Sequence, residues 1–135
     1  MTDFYPQSTD QLGGSTNPNR GNVIARGSFL NQSMSSAGTG YSLSLSVALP
    51  IDTANFFLNA IGFTTNWNLG AGTIENFPIP FNQMNISTGN VQRNGNLYIM
   101  TSTKPTSYSL NIDLWDRSIS QSGINIYYKV LAFAF

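Results

Sequence analysis

Charged and aromatic side chains that could bind a ligand are most concentrated in five consecutive residues: Asp113, Leu114, Trp115, Asp116 and Arg117. Only 9% of the chain is charged, so two carboxylates, an indole and a guanidinium in one short stretch stand out. Alternate side chains of a strand share a face, so Asp113, Trp115 and Arg117 would be neighbours if a strand continues through Arg117. An exposed indole packs on the C–H face of a sugar ring, a carboxylate accepts hydrogen bonds from hydroxyls, and a guanidinium donates them. The stretch therefore predicts a saccharide-binding site.

The same stretch also has a purely structural interpretation. Trp115 could fill the edge of a core, while Asp113 or Asp116 caps the following turn and pairs with Arg117. The second tryptophan, Trp67 in "TTNWNLGAG", is flanked by asparagines in what we predict to be a loop. It is a further candidate for sugar contact, and its structural alternative is a ring folded over the end of the domain.

Other chemistries find little support in the sequence. The chain contains no cysteine and no histidine, which removes thiolate and Ser-His-Asp catalysis and the usual zinc sites. Asp113 and Asp116 would have to face each other across a cleft to act in glycoside hydrolysis. They also lack the loop pattern typical of a calcium site. We therefore expect no enzyme activity, no metal and no cofactor.

Charge limits the possible partners. Six basic and six acidic residues give a formal net charge of zero. Proteins that bind nucleic acid need a clustered basic patch, whereas the basic residues here are scattered: Arg20, Arg26, Arg93, Lys104, Arg117 and Lys129. No stretch approaches the ~20 apolar residues that span a bilayer. We expect neither nucleic-acid binding nor membrane insertion.

The elements that position the cluster are predicted to be strands. Leucine and serine alternate in "YSLSLSVALP", and apolar and polar residues alternate in "SYSLNIDLW", as in strands with one buried face. No window shows a helical period, so we predict an all-β fold, an antiparallel sandwich or barrel of the jelly-roll or fibre-head type. Asn94-Gly95 predicts a type I′ hairpin turn. Residues 1–21, rich in Gly, Ser, Thr, Asn and Pro, are predicted to be an extended arm or linker, and residues 22–135 the domain itself.

The last strand, "INIYYKVLAFAF", is apolar on both faces in its second half. An exposed strand of this kind is a template for aggregation. We therefore predict that it lies in the middle of a sheet with its outer face covered. Two interpretations remain open: it is a central strand of a sandwich, or it lines a subunit interface.

An uncharged Ser/Thr/Asn/Gly-rich β-domain with such an arm and such a last strand resembles the C-terminal receptor-binding head of phage baseplate and tail-fibre proteins. The baseplate proteins of phages infecting lactic acid bacteria are the nearest type. The resemblance implies a homotrimeric head that binds host cell-wall saccharide, follows an upstream neck and shoulder, belongs to the virion and acts outside the cell. It also implies a saccharide site containing Trp, Asp and Arg, which Asp113, Trp115 and Arg117 match in type. A version of that site that uses histidine does not carry over, because the chain has none.

Two alternatives to this function remain. The chain could be a free lectin-like carbohydrate-binding module, which shares the sugar chemistry without the trimer. It could also be a purely structural virion adaptor or decoration protein, which would use its arm and last strand for assembly and bind no sugar.

Overall fold

A computed structural model describes residues 22–49, 56–82, 93–103 and 106–134. Eight strands form in this part of the chain: β1 (Asn22–Gln32), β2 (Ser35–Ala37), β3 (Gly40–Leu49), β4 (Phe56–Gly70), β5 (Thr73–Ile79), β6 (Arg93–Thr103), β7 (Thr106–Asp116) and β8 (Ile124–Ala134). The described residues contain no helix, and so none that is long and apolar enough to cross a membrane. The predicted arm, residues 1–21, lies outside the described residues.

The strands form two antiparallel sheets of four, in the orders β1-β8-β4-β5 and β2-β3-β7-β6. The all-β prediction is confirmed, and the arrangement is sandwich-like. The barrel alternative is wrong, because in the described residues each sheet is open and ends in two edge strands. After β5 the chain crosses between the sheets, where Phe81 forms a parallel bridge with Leu97 of β6. Two backbone hydrogen bonds on either side of that bridge join Pro80 and Asn82 to Leu97.

The core fills the space between the two sheets. Alternation along β7 and β8 turns one set of side chains inward, and these are fully or almost fully buried: Leu110, Ile112, Leu114, Ile124, Ile126, Val130 and Ala132. The sheets approach closely at Gly62 of β4, where an added Cβ would lie 2.5 Å from Cδ1 of Leu97. A side chain at position 62 would therefore force the two sheets apart.

The last strand, β8, lies in the middle of its sheet, between β1 and β4. The prediction of a central position is confirmed. Its backbone is paired on both sides, to Asn22–Gln32 on one edge and to Phe56–Thr65 on the other. A strand paired on both edges offers no free template for aggregation, although its outer face still requires an explanation.

The hairpin predicted at Asn94-Gly95 is wrong. Both residues lie inside β6, paired with Trp115 and Leu114 of β7. Gly95 is required by close packing instead of a turn, because a Cβ there would meet side-chain atoms of Leu114 at 3.0 Å and Ile79 at 3.2 Å. The tight turn with two positive φ angles lies between β4 and β5, at Ala71 (53°) and Gly72 (81°).

Candidate binding face

The cluster from Asp113 to Arg117 is divided by the alternation of β7. Leu114 and Asp116 point into the core and are buried, whereas Asp113 and Trp115 lie on the opposite, partly exposed side. The predicted alternation of this strand is therefore confirmed. Asp113 and Asp116, three positions apart, consequently have different surroundings.

Asp113 and Trp115 belong to a polar surface on the outer side of the sheet β2-β3-β7-β6. We call this surface the polar face and define it by outward residues of the three long strands: Ser42, Ser44 and Ser46 of β3, Ser109, Asn111, Asp113 and Trp115 of β7, and Asn94, Asn96 and Tyr98 of β6. All of these residues are partly or fully exposed. Asp113 is the only charged residue among them. The face thus offers hydroxyl and amide groups at the ~4.8 Å spacing of neighbouring strands.

Trp115 lies over a glycine of the neighbouring strand. Its Nε1 and Cε2 atoms are 2.8 and 2.9 Å from the point that a Cβ of Gly40 would occupy. The absence of a side chain at Gly40 therefore makes room for the indole. Trp115 is partly exposed, with Ser42 on one side and Asn94 on the other. An indole in this position combines an apolar surface with a polar surround, as a sugar ring requires.

Asp113 is the acceptor at the centre of the polar face. The register places it between Ser44 of β3 and Asn96 of β6. Tyr98 shares a hydrogen bond with Asp113, and this bond, with partial burial and the charge of Asp113, raises the pKa of Tyr98 above its ordinary value. Tyr98 is therefore the donor. Beside them the buried Oδ1 atom of Asn96 has no partner. The centre thus holds a negatively charged acceptor, and the amide oxygen of Asn96 lies below the accessible surface.

Arg117 is predicted to share a face with Asp113 and Trp115 only if the strand continues through it. The strand ends at Asp116, one residue earlier, so strand alternation does not carry Arg117 onto the polar face. Its side chain is exposed. In the described parts of the chain the ion pair found is between Arg93 and Glu75, and none joins Arg117 to Asp113. Strand alternation places Asp113 and Trp115 on one face, and it does not extend to Arg117.

Trp67 lies in strand β4 and has no exposed surface, so the loop predicted around it is wrong. Its Nε1 atom donates to Oδ2 of Asp116 at 2.9 Å, and its ring meets Phe77 edge-on with the centroids 5.1 Å apart. A fully buried indole offers no surface to a saccharide. The structural alternative, a ring packed inside the end of the sandwich, is the arrangement observed.

Asp116 accepts hydrogen bonds from other segments of the chain at the point where β7 ends. Its Oδ1 atom accepts from the backbone N–H groups of Ser118 (2.9 Å) and Ile119 (2.8 Å), and so caps the following turn. Its Oδ2 atom accepts from Trp67 and, at 3.0 Å, from Nε2 of Gln121. Four donors satisfy a carboxylate that is only 5% exposed.

The two aspartates are not positioned to act as a pair. Asp113 and Asp116 point to opposite sides of β7, so they neither face each other across a cleft nor share a cation. Within the described ranges no three acidic, histidine or cysteine residues are grouped as metal ligands. Hydrolysis by paired carboxylates therefore gains no support from the geometry.

A cavity of about 460 Å³ opens at the end of the sandwich where β7 ends. It is lined by Trp67, Asn68, Leu69, Arg93, Asp116, Ser118 and Ile119. Arg93 pairs with Glu75 across the two sheets, and its guanidinium lies 4.3 Å from the centre of the Phe77 ring. The charged groups of this cavity are thus already engaged with each other and with the core, so their clearest role is to join the sheets.

Comparison with known protein families, with curated proteins and with solved structures finds no match to this chain. The case for a function therefore depends on the geometry of the site itself. That geometry adds Tyr98 and Asn96 to the residues that sequence reasoning selected. Their only signal in the sequence was the alternation of β6, which the expectation of a turn at Asn94-Gly95 concealed.

Proposed function

We propose that this chain is a non-catalytic receptor-binding head domain that recognises cell-surface saccharide through the polar face. The observation that carries the proposal is the placement of Trp115 beside Asp113 on an exposed sheet surface made of hydroxyl and amide side chains. Both kinds of group that sugar recognition needs, an apolar platform and hydrogen-bonding groups around it, lie on one surface.

Each residue of the face has a definite role in this proposal. The indole of Trp115 receives the apolar side of a sugar ring. The carboxylate of Asp113, oriented by Tyr98, accepts hydrogen bonds from sugar hydroxyls. The serine hydroxyls of β3 both donate and accept.

The charge of the face indicates the class of saccharide. Because Asp113 is the only ionic group among the residues that define the face, a carboxylated or phosphorylated sugar would meet a like charge and no cation. The proposed ligand is therefore an uncharged glycan. Arg117, exposed at the end of β7, remains a proposed donor only for a glycan that extends beyond the strand.

The proposal extends to assembly and location. A shallow open surface orders few groups and should bind a single sugar weakly. Three sites in a homotrimer, and many trimers on one particle, would supply avidity. We place the head on a phage tail or baseplate, after an upstream neck and shoulder, acting outside the cell on the host wall. The jelly-roll or fibre-head type of the sandwich belongs to the same proposal.

A direct test is to measure binding of the purified chain to arrays of neutral and anionic glycans and to whole bacterial cells. We expect selective binding to neutral glycans, and an Asp113→Asn variant that folds normally but binds at least about tenfold more weakly. Equal binding by the variant would remove the carboxylate from the site. Preference for anionic glycans would contradict the assignment of ligand class.

One observation favours a second candidate, the structural virion adaptor. The outer side of the other sheet carries several exposed large apolar side chains, as an assembly surface would. Failure of the chain to bind any glycan or cell, while it assembles with itself, would favour the adaptor. A monomer that binds neutral glycans would favour the free lectin-like module.

A further inference from the structure

The outer side of the sheet β1-β8-β4-β5 carries most of the exposed large apolar side chains of the described residues. We call this surface the apolar face and define it by five residues: Leu30, Phe57, Ile61, Phe63 and Tyr127. Each is between 39% and 57% exposed to solvent. Such side chains are ordinary when scattered, but a contiguous group of them marks an interaction surface.

Two pairs of aromatic residues lie across the central strands of this sheet. Phe57 of β4 lies opposite Phe133 of β8, with ring centroids 5.9 Å apart. Phe63 lies opposite Tyr127, three pairs further along the same face. Ile61 lies between these two pairs, opposite Lys129, and the pair of Asn59 and Leu131 separates it from Phe57. The apolar side chains therefore follow β4 and β8 and include the outer side of the C-terminal strand.

The size of this surface matches a protein interface. Four strands at a spacing of ~4.8 Å and about eleven residues at ~3.3 Å each give a sheet surface of roughly 700 Å². A typical stable interface buries about 800 Å² on each partner. The outer side of the sheet, with its polar residues included, is thus about as large as the surface that one partner covers.

We propose that the apolar face packs against a second copy of this chain. A second copy supplies a face of the same size and character, and in the proposed homotrimer the apolar faces of the three copies would meet around the three-fold axis. Arg26 and Lys129, which are paired across β1 and β8, are exposed cations on this surface. Their aliphatic stems can lie over the apolar surface while the charged groups reach water at its rim.

The arrangement has a consequence for the other side of the molecule. The apolar and polar faces are the two outer sides of one sandwich-like domain. Self-association through the apolar face therefore leaves the polar face of every copy directed outward. The inference about self-association does not depend on saccharide binding, and the two can fail separately.

The test compares two variants at matched exposed positions on opposite sheets. Ile61, 57% exposed, lies on the apolar face, and Met100, 51% exposed, lies on the outer side of β6. We expect the wild type to have a mass in solution that is a multiple of 14.7 kDa by light scattering. Ile61→Asp should reduce the mass to that of one chain, whereas Met100→Asp should leave the oligomer intact.

Two further measurements keep the result decisive. Far-UV circular dichroism establishes that each variant is folded, and the milder Ile61→Asn replaces Ile61→Asp if the latter does not fold. A monomeric wild type at ~100 μM, or an oligomer that survives the folded position-61 variants, would overturn the proposal. A folded monomeric variant that still binds a single sugar as the wild type does would show that the polar face functions independently.

Discussion

Neighbouring residues of β7 point to opposite sides of the sheet, one side toward solvent and the other toward the core. Trp115 and Asp113 face solvent across from serine and asparagine side chains, whereas Asp116 faces inward and accepts four hydrogen bonds. The two tryptophans differ in the same way, because Trp67 is fully buried and Trp115 is not. Substitutions at these positions should therefore separate stability from binding.

Trp67→Phe should destabilise the fold without affecting the polar face. The substitution removes the Nε1 donor to Asp116 and leaves a buried carboxylate with one fewer partner, which costs about 2 kcal/mol. Urea unfolding measures this loss. Glycan binding by the folded variant should equal that of the wild type, and a selective loss of binding at unchanged stability would contradict the structural role of Trp67.

Tyr98→Phe should alter the dependence of stability on alkaline pH. The folded state raises the pKa of Tyr98 above its ordinary 10.0, so it holds the hydroxyl proton more tightly than the unfolded chain does. This contribution to stability is fully present below about pH 10 and is lost as pH rises through the raised pKa. Wild-type stability should therefore fall more steeply above about pH 10 than that of Tyr98→Phe. Urea unfolding across ~pH 9–11 tests this, and identical slopes would mean that the bond to Asp113 is not formed.

At the scale of elements, alternation predicted β3 and β7 and the face that each of these strands buries. The Leu/Ser pattern of β3 and the pattern of β7 gave the inward and outward sets directly. The central position of β8 followed from its two apolar faces, because a strand buried or covered on both sides belongs inside a sheet.

Local signals failed where contacts between the sheets decided the structure. Gly95 looks like a turn residue, but its small size is needed where Leu114 and Ile79 approach. Trp67 looks like a loop residue among asparagines, but its partner is Asp116, 49 positions away along the chain. Nothing local in the sequence indicates such a pairing. The same holds for Tyr98 and Asp113, which the register of β6 and β7 brings together.

Asp116→Asn should weaken the hydrogen bonds that stabilise the turn after β7. An asparagine presents one oxygen, and its amide group would meet N–H donors where the second carboxylate oxygen now accepts. Leaving buried donors unpaired should cost about 3 kcal/mol of unfolding free energy. Hydrogen exchange at Ser118 and Ile119 should accelerate in the variant. Protection as strong as in the wild type would show that the turn does not depend on the carboxylate.

At the scale of the whole molecule, two outer faces of contrasting chemistry suggest two uses. The polar face suits a hydroxyl-rich ligand, and the apolar face suits another copy of the chain. The proposed head is a homotrimer, so light scattering should give about three times 14.7 kDa. A dimer would retain self-association and contradict the trimer, and a monomer would contradict both.

The most direct test of the proposed function is the affinity of Trp115→Ala for a neutral glycan or host wall that the wild type binds. The indole is partly exposed and lies over Gly40, so its removal should leave the melting temperature nearly unchanged. Binding should fall at least about tenfold, while Met100→Ala, at the far end of β6 and on the same side of the sheet, should bind as the wild type does. Undiminished binding by a folded Trp115→Ala, or a large loss of stability, would contradict the polar face as the saccharide site.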